Sequence, residues 1–191
     1  WYSQGQRISH LGVFNLTTKQ VTVLRALEEN IEVTAFCVAK RMGKSVCVVA
    51  QKKNLGYMST PSYLKILELP SLRLIVERSN ATNASINCLH FAQYGTNAVL
   101  LSGGDSHRNG DFIEHSLLHL WSIEDLTPIW QDRQKINGNL NTIDSQLYSD
   151  RIIVTTSDGL ASFPVVWDLI LREPIAGCSH LAGRVRLYQF R

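Results

Sequence analysis

The sequence has no long apolar run. Its longest stretch without Asp, Glu, Lys or Arg extends from Ser79 to Gly104, and Asn, Ser, Gln, Thr and His interrupt it. A membrane-crossing helix needs about 20 consecutive apolar residues, which argues against membrane insertion. No charged-then-apolar signal segment opens the chain. Proline is scarce, at 5 of 191 residues, and glycine stops at 12, which excludes collagen and Pro-rich linkers. The four cysteines, Cys37, Cys47, Cys88 and Cys178, lack paired short spacing and lie in or beside apolar runs. That placement points to reduced core thiols in an intracellular, cytoplasmic chain. The Asn-x-Ser/Thr sequons at Asn15, Asn80 and Asn83 would matter only in a secreted protein. A net charge of +3 is far from the dense basic stripe of a nucleic-acid binder. What is present, 45% hydrophobic and 18% charged residues, is the composition of an ordinary globular fold. The chain opens on Trp1 rather than Met, which reads as a piece of a larger chain or assembly.

The clearest signal is a repeated phrase. Leu118-His-Leu-Trp-Ser-Ile-Glu-Asp-Leu-Thr-Pro-Ile129 aligns with Val165-Val-Trp-Asp-Leu-Ile-Leu-Arg-Glu-Pro-Ile175. Weaker copies run from Leu64 to Ile75 and from Leu11 to Val21. They place Phe14, Leu67, Trp121 and Trp167 in one column, separated by 53, 54 and 46 residues. A second phrase, apolar-x-x-apolar-x-apolar, begins at Val33, Ile86, Leu140 and Val185, with steps of 53, 54 and 45. In its third copy Ser145 stands at the last apolar position. Two phrases that keep one period of about 50 residues mean a repeat architecture.

Each repeat holds further short runs rich in β-branched residues, such as Ser45–Gln51, Ala98–Ser102 and Arg151–Thr156. Turn signals at Met42-Gly43, Tyr94-Gly95 and Asp158-Gly159 bound them. No long stretch has helical periodicity. The reading is all-β, with four antiparallel strands per repeat; the first full repeat is expected near 33–39, 45–51, 63–69 and 72–77. Such a unit is a β-propeller blade. The chain then divides into 1–30 (third and fourth strands of a partial blade), blades at 31–79, 80–135 and 136–178, and 179–191 as the first strand of another. About three complete blades with partial blades at both ends make an arc, since propellers close with roughly four to eight. Phe14, Leu67, Trp121 and Trp167 are the expected core residues between blades.

At Leu120-Trp121-Ser-Ile and Val166-Trp167-Asp168-Leu the sequence resembles WD-repeat (WD40-like) proteins. Trp167-Asp168 is the signature dipeptide of that family. The usual blade-opening Gly-His is missing, with Ser179-His180 its nearest relic, so the hydrogen-bond tetrad of regular blades should be mostly absent. A narrower likeness runs through Glu68-Leu-Pro-Ser-Leu-Arg73, Ile86-Asn-Cys-Leu-His-Phe91, Val99-Leu-Leu-Ser102, Leu118–Ile123 and Thr155-Thr-Ser-Asp-Gly159. In order and spacing these are similar to the large cilia- and flagella-associated WD-repeat proteins. That resemblance implies an axonemal scaffold that tethers dynein-arm or regulatory complexes to doublet microtubules.

Catalytic signals are missing. His115 and His119 are four apart near Asp105, Asp111 and Glu114, but on a strand that spacing separates them by about 13 Å. A solvated loop with one exposed imidazole is the better reading, and no metal is expected. Ser102-Gly-Gly-Asp105 lacks the Lys-Ser/Thr and the helix of a phosphate cradle and reads as a turn. No nucleophile motif occurs, and no cofactor is implied.

Charge is more informative. Lys40, Arg41, Lys44, Lys52, Lys53 and Lys65 fall in a stretch, Val33 to Leu67, without an acid. Lys40, Arg41 and Lys44 surround one turn, whereas Lys52 and Lys53 open the next loop, so two patches on opposite rims are expected. The stretch 103–132 is acidic apart from Arg108. Such polarity can orient a partner, although charged surface turns are also the ordinary condition of a soluble fold. The long loops 52–62 and 104–115 are candidates for recognition, with Arg108, Phe112 and Ile113 at the second tip. The expected function is a non-enzymatic scaffold for axonemal proteins, including tubulin's acidic tails, in a cilium or flagellum. A substrate-recruiting propeller of an enzyme or ligase complex, or a trafficking coat scaffold, are the alternatives.

Overall fold

Local turn chemistry organises the chain. Met42 and Gly43 both have positive φ, 47° and 75°, the geometry of the two-residue turn whose twist matches a hairpin. The computed structural model describes residues 10–28, 30–53, 61–82, 85–94, 96–104, 108–109, 112–113, 118–131, 140, 142–148, 151–157, 165–168 and 173–177. Among them all regular structure is β-strand. The chain divides into two compact units, Trp1–Ser85 and Ile86–Arg191.

In the first unit, β1 (His10–Asn15) and β2 (Gln20–Ala26) form a two-stranded antiparallel sheet. A four-stranded sheet follows, in the order β3 (Ile31–Arg41), β4 (Lys44–Lys53), β5 (Ser62–Glu68), β6 (Arg73–Thr82). In the second unit come β7 (Ile86–Tyr94), β8 (Asn97–Gly104), the two-residue β9 (Arg108–Asn109) and β10 (Phe112–Ile113), then β11 (His119–Trp121) and β12 (Pro128–Gln131). β7, β8, β11 and β12 make one four-stranded sheet, while β9 and β10 pair only with each other. The last sheet runs β13 (Thr142–Tyr148), β14 (Arg151–Ser157), β15 (Val165–Asp168), β16 (Glu173–Gly177). All pairings are antiparallel between chain neighbours, apart from β8 with β11, which skips the small hairpin.

The period read from sequence returns in the backbone. In the three four-stranded sheets the ladder between the third and fourth strands shifts register at the core column, between Ile66 and Leu67, Leu120 and Trp121, and Val166 and Trp167, and the two-stranded β1–β2 sheet shifts in the same way between Val13 and Phe14. The unpaired extra residues are Thr22, Ile75, Ile129 and Ile175, the two-against-one count of a β-bulge. Five residues after the column, Lys19, Leu72 and Leu126 adopt φ of 55°, 54° and 58°. The last two close the same turn, with Leu72 N donating to Glu68 O and Leu126 N to Ser122 O.

Each unit buries its own core. In the first, Leu11, Val13 and Val23 of the small sheet pack on Cys47, Val49, Leu67 and Leu72. In the second, Val99, Leu101 and Leu118 pack on Leu140 and Ile143. Of the expected core column, Leu67 and Trp121 are each 2% exposed. Phe14 departs from that expectation at 54% exposure: Leu11 and Val13 take the inward face of β1, and Phe14 points out beside Val21. The side chain of Trp167 lies outside the described residues.

Three boundaries also differ from expectation. β6 continues to Thr82, past 79, because a register shift lets Ser62 pair with Thr82 after Leu64 pairs with Arg78. Ser102, Gly103 and Gly104 belong to β8 rather than to a turn. Residues 104–115 are not a simple loop, since Arg108 pairs with Ile113 and Asn109 with Phe112. The expected strand at 179–191 lies outside the described residues.

Leu126 combines a left-handed backbone with complete burial, at 0% exposure. Leu126→Ala is expected to cost about 2–5 kcal/mol through the cavity. Leu126→Gly removes the same side chain but relieves roughly 1 kcal/mol of left-handed strain. Denaturant unfolding should therefore find the glycine variant no less stable than the alanine variant.

Candidate functional site

The basic residues separate along β4. Lys40, Arg41 and Lys44 flank the Met42-Gly43 turn, and Lys40 Nζ donates to Ser45 Oγ at 3.0 Å. Lys52 and Lys53 sit at the other end of the same strand, with Lys52 Nζ 3.6 Å from Glu32 Oε2. A strand of this length spans roughly 30 Å, so these are two patches. Lys65 belongs to neither, since it faces Glu77 at 3.7 Å. Arg108, Phe112 and Ile113 come together in the β9–β10 hairpin; their side chains lie outside the described residues.

An apolar stripe accompanies the first patch. Phe36, Val38 and Lys40 alternate along β3 and pair with Val49, Cys47 and Ser45. Val49 and Cys47 are buried in the first unit's core, yet Phe36 is 66% exposed and Val38 61%. The sequence signal for burial was present here, but it could not reveal how far the covering sheet extends.

The second unit carries a polar seam between its two large sheets. His90 Nε2 lies 2.7 Å from Ser145 Oγ, and Cys88 Sγ donates to Leu140 O at 3.3 Å. Gly103 makes this approach possible: a Cβ there would stand 2.7 Å from Leu140 Cβ and 3.0 Å from Cys88 Sγ. Ser145 breaks the apolar phrase because His90 needs a partner. The Gly103-Gly104 pair at the end of the apolar strand β8 was the signal for a close backbone approach. On another strand pair, Trp121 Nε1 donates to Ser102 Oγ at 2.8 Å, and its ring stacks on His119 with centroids 5.2 Å apart. His119 is buried, because it shares the inward face of β11 with Trp121. His107, His115 and their neighbouring acids lie outside the described residues.

These groups are tuned for packing. Burial pushes the Cys88 thiol up to about 12, with a smaller opposing effect from the Gly103 backbone. Burial, with a smaller contribution from nearby Cys47, pushes Cys37 up to about 12 as well. Neither is a reactive thiolate. Cys37, Cys47 and Cys88 are free of disulfides. Among the described residues no group of three or more His, Cys, Asp or Glu could hold a metal. A cavity of about 50 Å³ is lined by Arg25, Glu28, Ile31, Gln51 and Lys65 among others, room for a water or two and far below a substrate pocket. No family model matches the chain, and no curated protein matches it.

Two outcomes follow from the seam. Gly103→Ala is expected to destabilise by about 1–3 kcal/mol through overpacking, and thermal unfolding measures it. Burial lowers the His90 pKa below 6.5 despite the attraction of Asp144. The unfolded chain then takes up a proton before the folded one, so stability is complete above 6.5 and falls as pH drops below it. Melting temperature should fall between about pH 7.5 and pH 5.5, and His90→Gln should flatten that slope. An unchanged slope in the variant would assign the acid sensitivity elsewhere.

Proposed function

We propose that the chain is an arc of a WD-type β-propeller and serves as a non-enzymatic scaffold that docks other proteins. The observation that supports this reading is the recurrence of one four-stranded unit, with the same bulge at Thr22, Ile75, Ile129 and Ile175. Stacked repeat sheets of this kind build rigid surfaces on which turns carry recognition. The Trp121–Ser102 hydrogen bond, from third strand to second, adds a buried polar link of the sort that holds a blade in register.

The likeness to large cilia- and flagella-associated WD-repeat proteins directs this scaffold to the axoneme. There it would hold dynein-arm or regulatory complexes on doublet microtubules. Lys40, Arg41 and Lys44 around the Met42-Gly43 turn are its proposed contact with an acidic protein surface such as the tubulin tails. A compact cluster suits that role better than a continuous phosphate backbone, which demands a long row of cations. Single exposed charges contribute about 0–1 kcal/mol each, so the test reverses all three together in the full-length protein. Recruitment to axonemes should fall in the variant, most clearly at low salt, and the parent's own recruitment should weaken as salt rises. Unchanged recruitment at low and at physiological salt would remove this turn from the interface.

A further inference from the structure

We infer that the small cavity beside the first unit's core binds one halide-sized anion, held between the Arg25 guanidinium and the Gln51 side-chain amide. This inference needs only the packing of β2 on β4 and β5, so it stands or fails separately from the propeller reading.

Gln51 supplies the first observation. It lies near the end of β4, opposite Val33 on one side and Tyr63 on the other, and only 2% of it is exposed. Its amide offers donors and an acceptor, yet among the described residues its side chain has no hydrogen-bond partner. Buried amides in folded proteins are bonded to something. The space Gln51 faces is the cavity of about 50 Å³, whose other walls are Arg25, residues 26–28, Ile31 and Lys65.

Charge is the second observation. Arg25 is partly buried, and among the described residues its side chain makes one bond, from Nη1 to Leu72 O at 2.6 Å. A guanidinium has five N–H donors and stays charged. Among the described residues no carboxylate pairs with it: Glu77 faces Lys65 at 3.7 Å, and Glu28 is exposed to solvent. A water in the cavity would satisfy Gln51 but leave the cation uncompensated; an anion answers both groups. Size is the third. The cavity has room for a water or two, so a monatomic halide fits it and a phosphate or sulfate overfills it. Bound there, the anion would tie the small sheet to the four-stranded sheet, because Arg25 belongs to one and Gln51 to the other.

The test uses the full-length protein, with chloride and bromide as probes. Gluconate, too large to enter, is the reference anion at equal ionic strength. Melting temperature should rise with chloride and then level off, as for a ligand that binds only the folded state. Line broadening in chloride NMR should give the affinity. Arg25→Met and Gln51→Leu each remove one donor and keep the side chain's bulk, and each should weaken binding about tenfold or more. Gln51→Glu sets a carboxylate beside Arg25, so it should fold and lose the chloride response, which separates lost binding from lost folding. Crystals grown in bromide should scatter anomalously between Arg25 and Gln51. Equal melting in chloride and gluconate, with no more broadening than Gln51→Glu shows, would overturn the inference. So would a chloride response that survives in both Arg25→Met and Gln51→Leu. A peak at that place without anomalous signal would assign the cavity to water and overturn it too.

Discussion

Along β4 and β5, water is excluded from both faces of one sheet. Cys47, Val49 and Leu67 are buried on one side, and Val46, Val48, Leu64 and Ile66 on the other. A strand that alternates apolar and polar residues can end a fold at solvent; one that is apolar on both sides cannot. This constraint propagates through the structure. It demands a packing layer on each side of that sheet. It also explains why polar groups between layers are few and paired, as His90 is with Ser145 and Trp121 with Ser102.

The repeat was legible because burial on two faces leaves a two-sided apolar signature, and because the third strand ends in a bulky residue at a spacing near 50 residues. The backbone carries the same spacing in features no composition argument reaches. The bulged residues Thr22, Ile75, Ile129 and Ile175 are all β-branched, and a left-handed φ falls on Lys19, Leu72 and Leu126 alike. Leucine is a poor residue for that conformation; at Leu72 and Leu126 burial holds it there. Propensity would place neither turn.

What was illegible depends on neighbours. Phe14 and Leu67 share a column, but only one has a layer over it. Phe36 and Val38, apolar positions of the repeated phrase that begins at Val33, face water for the same reason. Ser102-Gly-Gly reads as a turn until Leu140 is seen against Gly103; close approach then explains the missing side chain better than flexibility does. The basic cluster was legible as composition, and the turn at Met42-Gly43 gives it a geometry.

The central claim is that these sheets are successive blades of one propeller. Cryo-electron microscopy of the full-length protein tests it most directly. The account predicts four-stranded sheets arranged radially about a central channel, with the first strand of each innermost and the core column of Leu67, Trp121 and Trp167 between adjacent sheets. Sheets stacked in a straight or helical array, with no channel, would contradict it.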